Sequence, residues 1–142
     1  SRRLSMSELI IDTLTGKTSA GDITVTSEGG AATQSLQQGL AKAWFKFDQT
    51  VPSNYSSFNV SSVSDDSTGV YTQNWANSFS DAHYPMGMVG DSYPNHSHPA
   101  CYIFYNDSTA QTTSSCKYDS RGGTNGTAYD QTNLCNVHGD LS

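Results

Sequence analysis

The chain has 142 residues, 35% of them hydrophobic and only 14% charged, and a formal net charge of -6 at pH 7. That balance works against direct nucleic-acid binding, which needs a basic footprint, and no apolar run approaches the ~20 residues of a membrane helix. Eight tyrosines in a background of Ser, Thr, Gly and Asn suit short strands and turns, and the modest apolar fraction sets the expectation that some core is shared between subunits.

Residues 1–38 read as an N-terminal segment of short β elements and a helix, and 39–142 as a C-terminal β-sandwich. The opening "SRRLSMSELI" has no apolar h-region, so no secretory signal pattern is visible. In "ELIID" (8–12) Leu9 and Ile11 share one face of a strand pattern, as Ile23 and Val25 do in "GDITV". "EGGAATQSLQQGLAKAW" spaces Ala32, Leu36, Leu40, Ala43 and Trp44 by threes and fours, which predicts a short amphipathic helix. Its narrow stripe suits a small parallel bundle of identical helices; packing on its own sheet is the alternative. Leu9, Ile11, Leu36, Leu40 and Trp44 are the candidate residues for a contact between subunits.

From Trp44 the period changes to two. "AWFKFDQ" predicts a strand. "SSFNVSSVSDDSTGVYTQNW" predicts a hairpin, with Phe58 and Val60 leading in, Asp65 to Gly69 turning, and Val70 to Trp75 returning. "HYPMGMVGD", "ACYIFYND", "SSCKYDS" and "NLCNVHGDL" complete the strands, with a polar loop from Asn106 to Thr113. Many short strands and almost no helix read as an all-β antiparallel sandwich. Cys101, Cys116 and Cys135 lack any CxxC spacing. Buried free thiols fit a chain made in a reducing cytoplasm; one disulfide with a spare thiol is the other reading. Five N-x-S/T sequons fit chance in so Asn- and Ser-rich a chain.

Three phrases carry a resemblance: "GLAKAW" (Gly39 to Trp44) before an aromatic-x-Phe strand, "SFNVSSV-D-TG-Y" within Phe58 to Tyr71, and "DAHY" (Asp81 to Tyr84). The first two thirds of the chain thereby resemble tail-fibre and fibre-like virion proteins of tailed phages, many infecting marine bacteria and cyanobacteria. The match stops near Val89. The resemblance implies an intertwined homotrimer on the surface of the virion, made in the host cytoplasm. Its N-terminal segment, residues 1–38, would trimerise and hold other virion proteins, with Leu9, Ile11, Leu36, Leu40 and Trp44 at the trimer interface, and its C-terminal domain would face a host-surface glycan or protein. The short chain favours a short fibre or knob over a long shaft. A capsid, neck or tail decoration protein with a purely stabilising role is the alternative.

Two site expectations follow. In "YPNHSHP", His96 and His98 fall on one side of an extended strand. Around a threefold axis they would supply six imidazoles, a set suited to iron or another transition metal, and the resemblance to trimeric fibres adds weight. Pro94 and Pro99 argue for an ordinary loop instead. Tyr93, Tyr102, Tyr105, Tyr118 and Tyr129 gather in the C-terminal half among Asn, Ser and Gly, a composition suited to an adaptable receptor-binding surface, unless half of them alternate into the core. No enzyme is expected. The aspartates are scattered, Asp65-Asp66 fall in the predicted turn, and nucleophile-elbow, zinc-protease, P-loop and dinucleotide motifs are all lacking.

Overall fold

The structure is a computed structural model that describes residues 9–17, 23–26, 29–30, 32–91, 101–105, 111–122 and 126–142, with the backbone alone at 91, 101–105 and 122. The chain divides into two compact units, Ser1–Gln37 and Gln38–Ser142. In the first, β1 (Thr24–Thr26) pairs antiparallel with β2 (Thr33–Ser35), and Val25 lies opposite Gln34. The Leu36 amide donates to the Ile23 carbonyl at 2.7 Å.

Two expectations change in this region. Residues 9–12 form no strand. An alternating pattern alone does not make one; its backbone groups need a ladder partner. The predicted amphipathic helix is one turn, α1 (Leu36–Gly39), and β2 occupies the three residues before it. Thr33 and Ser35 are weak helix formers, and pairing with β1 satisfies their backbone instead.

The second unit contains β3 (Ala43–Asp48), β4 (Ser53–Phe58), β5 (Val60–Ser67), β6 (Val70–Trp75), β7 (Met86–Asp91), β8 (Cys101–Tyr105), β9 (Ser115–Gly122) and β10 (Thr132–Val137). They form two four-stranded antiparallel sheets, β4-β3-β10-β7 and β5-β6-β9-β8. Alternation decides what lies between them. Ala43, Phe45 and Phe47 of β3 and Cys135 and Val137 of β10 are buried from one side, and Tyr71, Trp75, Cys116 and Tyr118 from the other. Phe45 stacks on Tyr118 with ring centroids 6.1 Å apart, and Phe47 meets Tyr71 edge-on at 5.1 Å. A second cluster, Trp75, Phe79 and Tyr84, closes one end. There Tyr84, the last residue of the "DAHY" phrase, accepts a hydrogen bond from Trp75 Nε1 at 3.1 Å. Its hydroxyl lies 2.7 Å from the Ser115 carbonyl and 2.9 Å from that of Thr112.

The interior is partly polar. Gln49, Ser120, Gln131 and Asn133 are all buried. Gln49 Nε2 donates to Ser120 Oγ at 3.0 Å, Gln131 N to Gln49 Oε1 at 2.7 Å, and Asn133 Nδ2 to Ser120 Oγ at 3.3 Å. This knot ties the two sheets together. It lets a chain with few aliphatic residues fill an interior of its own, because paired polar groups can be buried at modest cost.

β4 is the strand without a sequence expectation, and it takes Phe58 with it. Asn59 sits at φ 58°, and its side chain clasps Asn77, accepting from Asn77 N at 2.6 Å and donating to Asn77 O at 3.1 Å. The left-handed residue ends β4 in one sheet and starts β5 in the other. Phe58 therefore belongs to β4 and not to the β5–β6 hairpin. Asp65, Asp66 and Ser67 also lie on β5, so the turn is only Thr68-Gly69.

Candidate outer-face contact site

The alternation that buries Phe45 and Phe47 turns Trp44 and Lys46 outward on β3. On β10 it turns out Leu134 and Asn136, and on β7 Gly87 and Val89. The registers align these side chains in two rows across the sheet. Phe58, Trp44, Asn136 and Gly87 form one; Ser56, Lys46, Leu134 and Val89 form the other. The apolar members stay exposed: Trp44 41%, Leu134 42%, Phe58 52% and Val89 65%. Trp44 and Phe58 stack, with centroids 6.5 Å apart and planes 20° from parallel.

A groove of about 460 Å³ runs over Trp44, Lys46, Gly87, Val89, Leu134 and Asn136. Gly87 shapes its floor. A Cβ there would stand 2.5 Å from Asn136 Oδ1, so the missing side chain is what lets the Asn136 amide lie across the strand. Among the described residues, that amide makes no hydrogen bond.

A polar cluster borders the groove near Lys46. Lys46 Nζ sits 5.5 Å from the centre of the Tyr55 ring. Tyr55 donates from its hydroxyl to Asp48 Oδ2 at 2.5 Å, and Thr50 donates to Asp48 Oδ1 from N at 2.9 Å and from Oγ1 at 2.7 Å. The Tyr55 bond first, and then the Thr50 hydroxyl, hold the Asp48 carboxyl below its usual range. The same bond raises the Tyr55 phenol. Ring faces, a free amide and one restrained ammonium suit stacking and hydrogen bonding.

Of the residues singled out from sequence, Trp44 lies on this face. Tyr118 is a correction: it is fully buried between Phe45 and Tyr71, and therefore offers a receptor nothing on this chain's surface. Its inward position on β9 comes from the same alternation that buries Cys116. Tyr129 is half-buried, and its amide donates to the Ser120 carbonyl at 3.1 Å. Tyr105 and Tyr102 lie on β8, where Tyr105 is the register partner of Tyr118. Tyr93, His96 and His98 lie outside the described residues. Among those that are described, no three His, Cys, Asp or Glu side chains converge as a metal site. Leu9 is 76% exposed, and Ile11 and Leu40 are exposed as well, while Leu36 is half-buried. Cys116 and Cys135 are free and buried, and burial pushes the Cys116 thiol up to about 12.

Three of the described aspartates serve local structure. Asp119 is buried and pairs with Arg121 at 2.5 Å. Asp130 accepts from the Gly69 amide at 2.7 Å and from the Tyr71 hydroxyl at 3.0 Å. Asp81 accepts from the His83 amide at 2.7 Å.

Sequence reasoning missed Phe58, Tyr55 and Leu134 as parts of one face. The available signal was the "AWFKFD" alternation, which sends Trp44 outward once Phe45 and Phe47 go in. Comparison of the chain with family models, with curated proteins and with solved structures finds no match.

Proposed function

We propose that this chain is a structural virion protein of a tailed phage, a short trimeric fibre or knob that contributes to adhesion at the host surface. The observation that carries the reading is the outer face of the β4-β3-β10-β7 sheet. It leaves two stacked aromatic rings and two aliphatic side chains in solvent on a sandwich that fills its own interior. Contiguous exposed apolar surface of this kind marks contact sites. The "GLAKAW", "SFNVSSV-D-TG-Y" and "DAHY" phrases add the virion context. In the fold they supply Trp44, the β4-to-β5 crossing at Asn59, the Gly69 turn and the Tyr84 clasp. Adhesion of this sort works through weak single contacts multiplied over several copies.

Native mass spectrometry of the whole chain tests the assembly. The reading predicts three chains. A monomer contradicts the fibre and favours a decoration module that completes its contacts on a larger partner.

A further inference from the structure

We infer that the groove over Trp44 and Asn136 is a saccharide-binding site, which takes a short, neutral oligosaccharide by stacking a pyranose ring on Trp44. The inference rests on the adhesion reading for its biological role, but its chemistry stands on the face itself. A pyranose presents a C–H-lined apolar face rimmed by hydroxyls. The two side-chain rows match that pattern. Trp44 and Phe58 offer ring faces, and Leu134 and Val89 an apolar bed. Asn136 lies among them with an amide that bonds no other described residue, and Ser56 and Lys46 flank them in register.

The same interleaving argues against a second protein chain as the occupant. Interface cores are depleted of Lys, whereas Lys46 stands inside this face, between Ser56 and Leu134 in register. Nine described residues line the groove, against the roughly 20–30 per side that a stable protein interface engages. Its volume of about 460 Å³ falls within the range of small-ligand clefts. The charges favour a neutral ligand: among the described residues Lys46 is the one cation lining the groove, and it is already held over Tyr55.

The two tryptophans supply the test. Trp44 is 41% exposed in the groove, and Trp75 is 5% exposed and bonded to Tyr84. The whole chain is titrated with cellotetraose, maltotetraose, chitotetraose and neutral bacterial exopolysaccharide fragments, and the two indole N–H resonances are followed by NMR. At least one probe is expected to shift the Trp44 signal and leave Trp75 in place. Trp44→Leu, which keeps apolar volume without a flat ring, should weaken that binding about tenfold, as should Asn136→Ala. Gly87→Ala forces the Asn136 amide to move and should weaken it too. Overturning results are a Trp44 signal that no probe moves, or binding that both Trp44→Leu and Asn136→Ala leave intact. Protection of Trp44 in the ligand-free assembly, lost on dissociation, would also overturn it by assigning the face to a second copy. A trimer that binds no saccharide leaves the fibre reading standing, and a monomer that binds one removes the fibre and keeps the site.

Discussion

Trp44 and Phe58 are direct partners across the β3–β4 ladder, and their stacked rings face solvent while their neighbours Phe45 and Phe47 are buried. One strand thus divides its aromatics between holding the fold and making contacts. The division predicts opposite mutational behaviour. Trp44→Leu should change unfolding free energy by less than about 1 kcal/mol, whereas Phe45→Ala should cost about 3–5 kcal/mol. Urea denaturation of the two variants checks this, and equal losses would show that Trp44 is a core residue of the chain.

Gln73 is fully buried, and among the described residues neither its amide nitrogen nor its oxygen has a hydrogen-bond partner. The nearby Tyr118 hydroxyl likewise has no partner among the described residues. An unsatisfied buried amide costs about 1–3 kcal/mol. Gln73→Met, close in shape and without the amide, should therefore stabilise the sandwich by about 1 kcal/mol or more. A lower urea midpoint in the variant would contradict the account of the site.

Gly69 adopts φ +74°, and a Cβ there would meet the Ser120 carbonyl oxygen at 2.8 Å and the Tyr129 amide at 3.0 Å. Its own amide is held by Asp130. Both the left-handed backbone and the close approach require glycine. Gly69→Ala should cost about 2–3 kcal/mol, measured as a shift in thermal midpoint, and a neutral substitution would show that the turn can relax.

Burial raises the Cys116 thiol from 9.0 to about 12, and it also raises Cys135, Tyr71 and Tyr118. In the unfolded chain these groups ionise first. Their contribution to stability is complete below about pH 9 and is lost as pH rises towards about 12. The urea midpoint should fall steadily across that window. In a Cys101→Ser background, neither remaining thiol should react with a neutral-pH thiol reagent until the chain unfolds. A flat pH profile, or rapid labelling of native protein, would contradict the buried placement.

The strands whose apolar residues alternate were legible: β3, β6, β9 and β10 each declare a buried face in "AWFKF", "VYTQNW", "SCKYDS" and "NLCNV". β4 was not, because "SNYSSF" has little to bury; all of its residues but the half-buried Asn54 stay exposed. The three- and four-residue spacing of Ala32, Leu36, Leu40, Ala43 and Trp44 imitated a helix because a strand and one helical turn happen to follow each other there. The contact face was half legible. Trp44 was singled out, but as a residue of a trimer interface. Its partner Phe58 was assigned to the wrong hairpin, since nothing short of the backbone reveals that Asn59 turns left-handed. The tyrosine-rich half misled for Tyr118, as composition does not say which way a side chain points.

Binding of labelled whole chain to a panel of marine bacteria and cyanobacteria tests the central claim most directly. Three forms are compared: the wild type, Trp44→Leu on the outer face, and Lys117→Ala on the other sheet, where Lys117 pairs with Asp66 at 3.1 Å. The account predicts that wild type and Lys117→Ala bind the same strains equally and that Trp44→Leu loses most of that binding. Equal binding by all three, or none by the wild type, would contradict it.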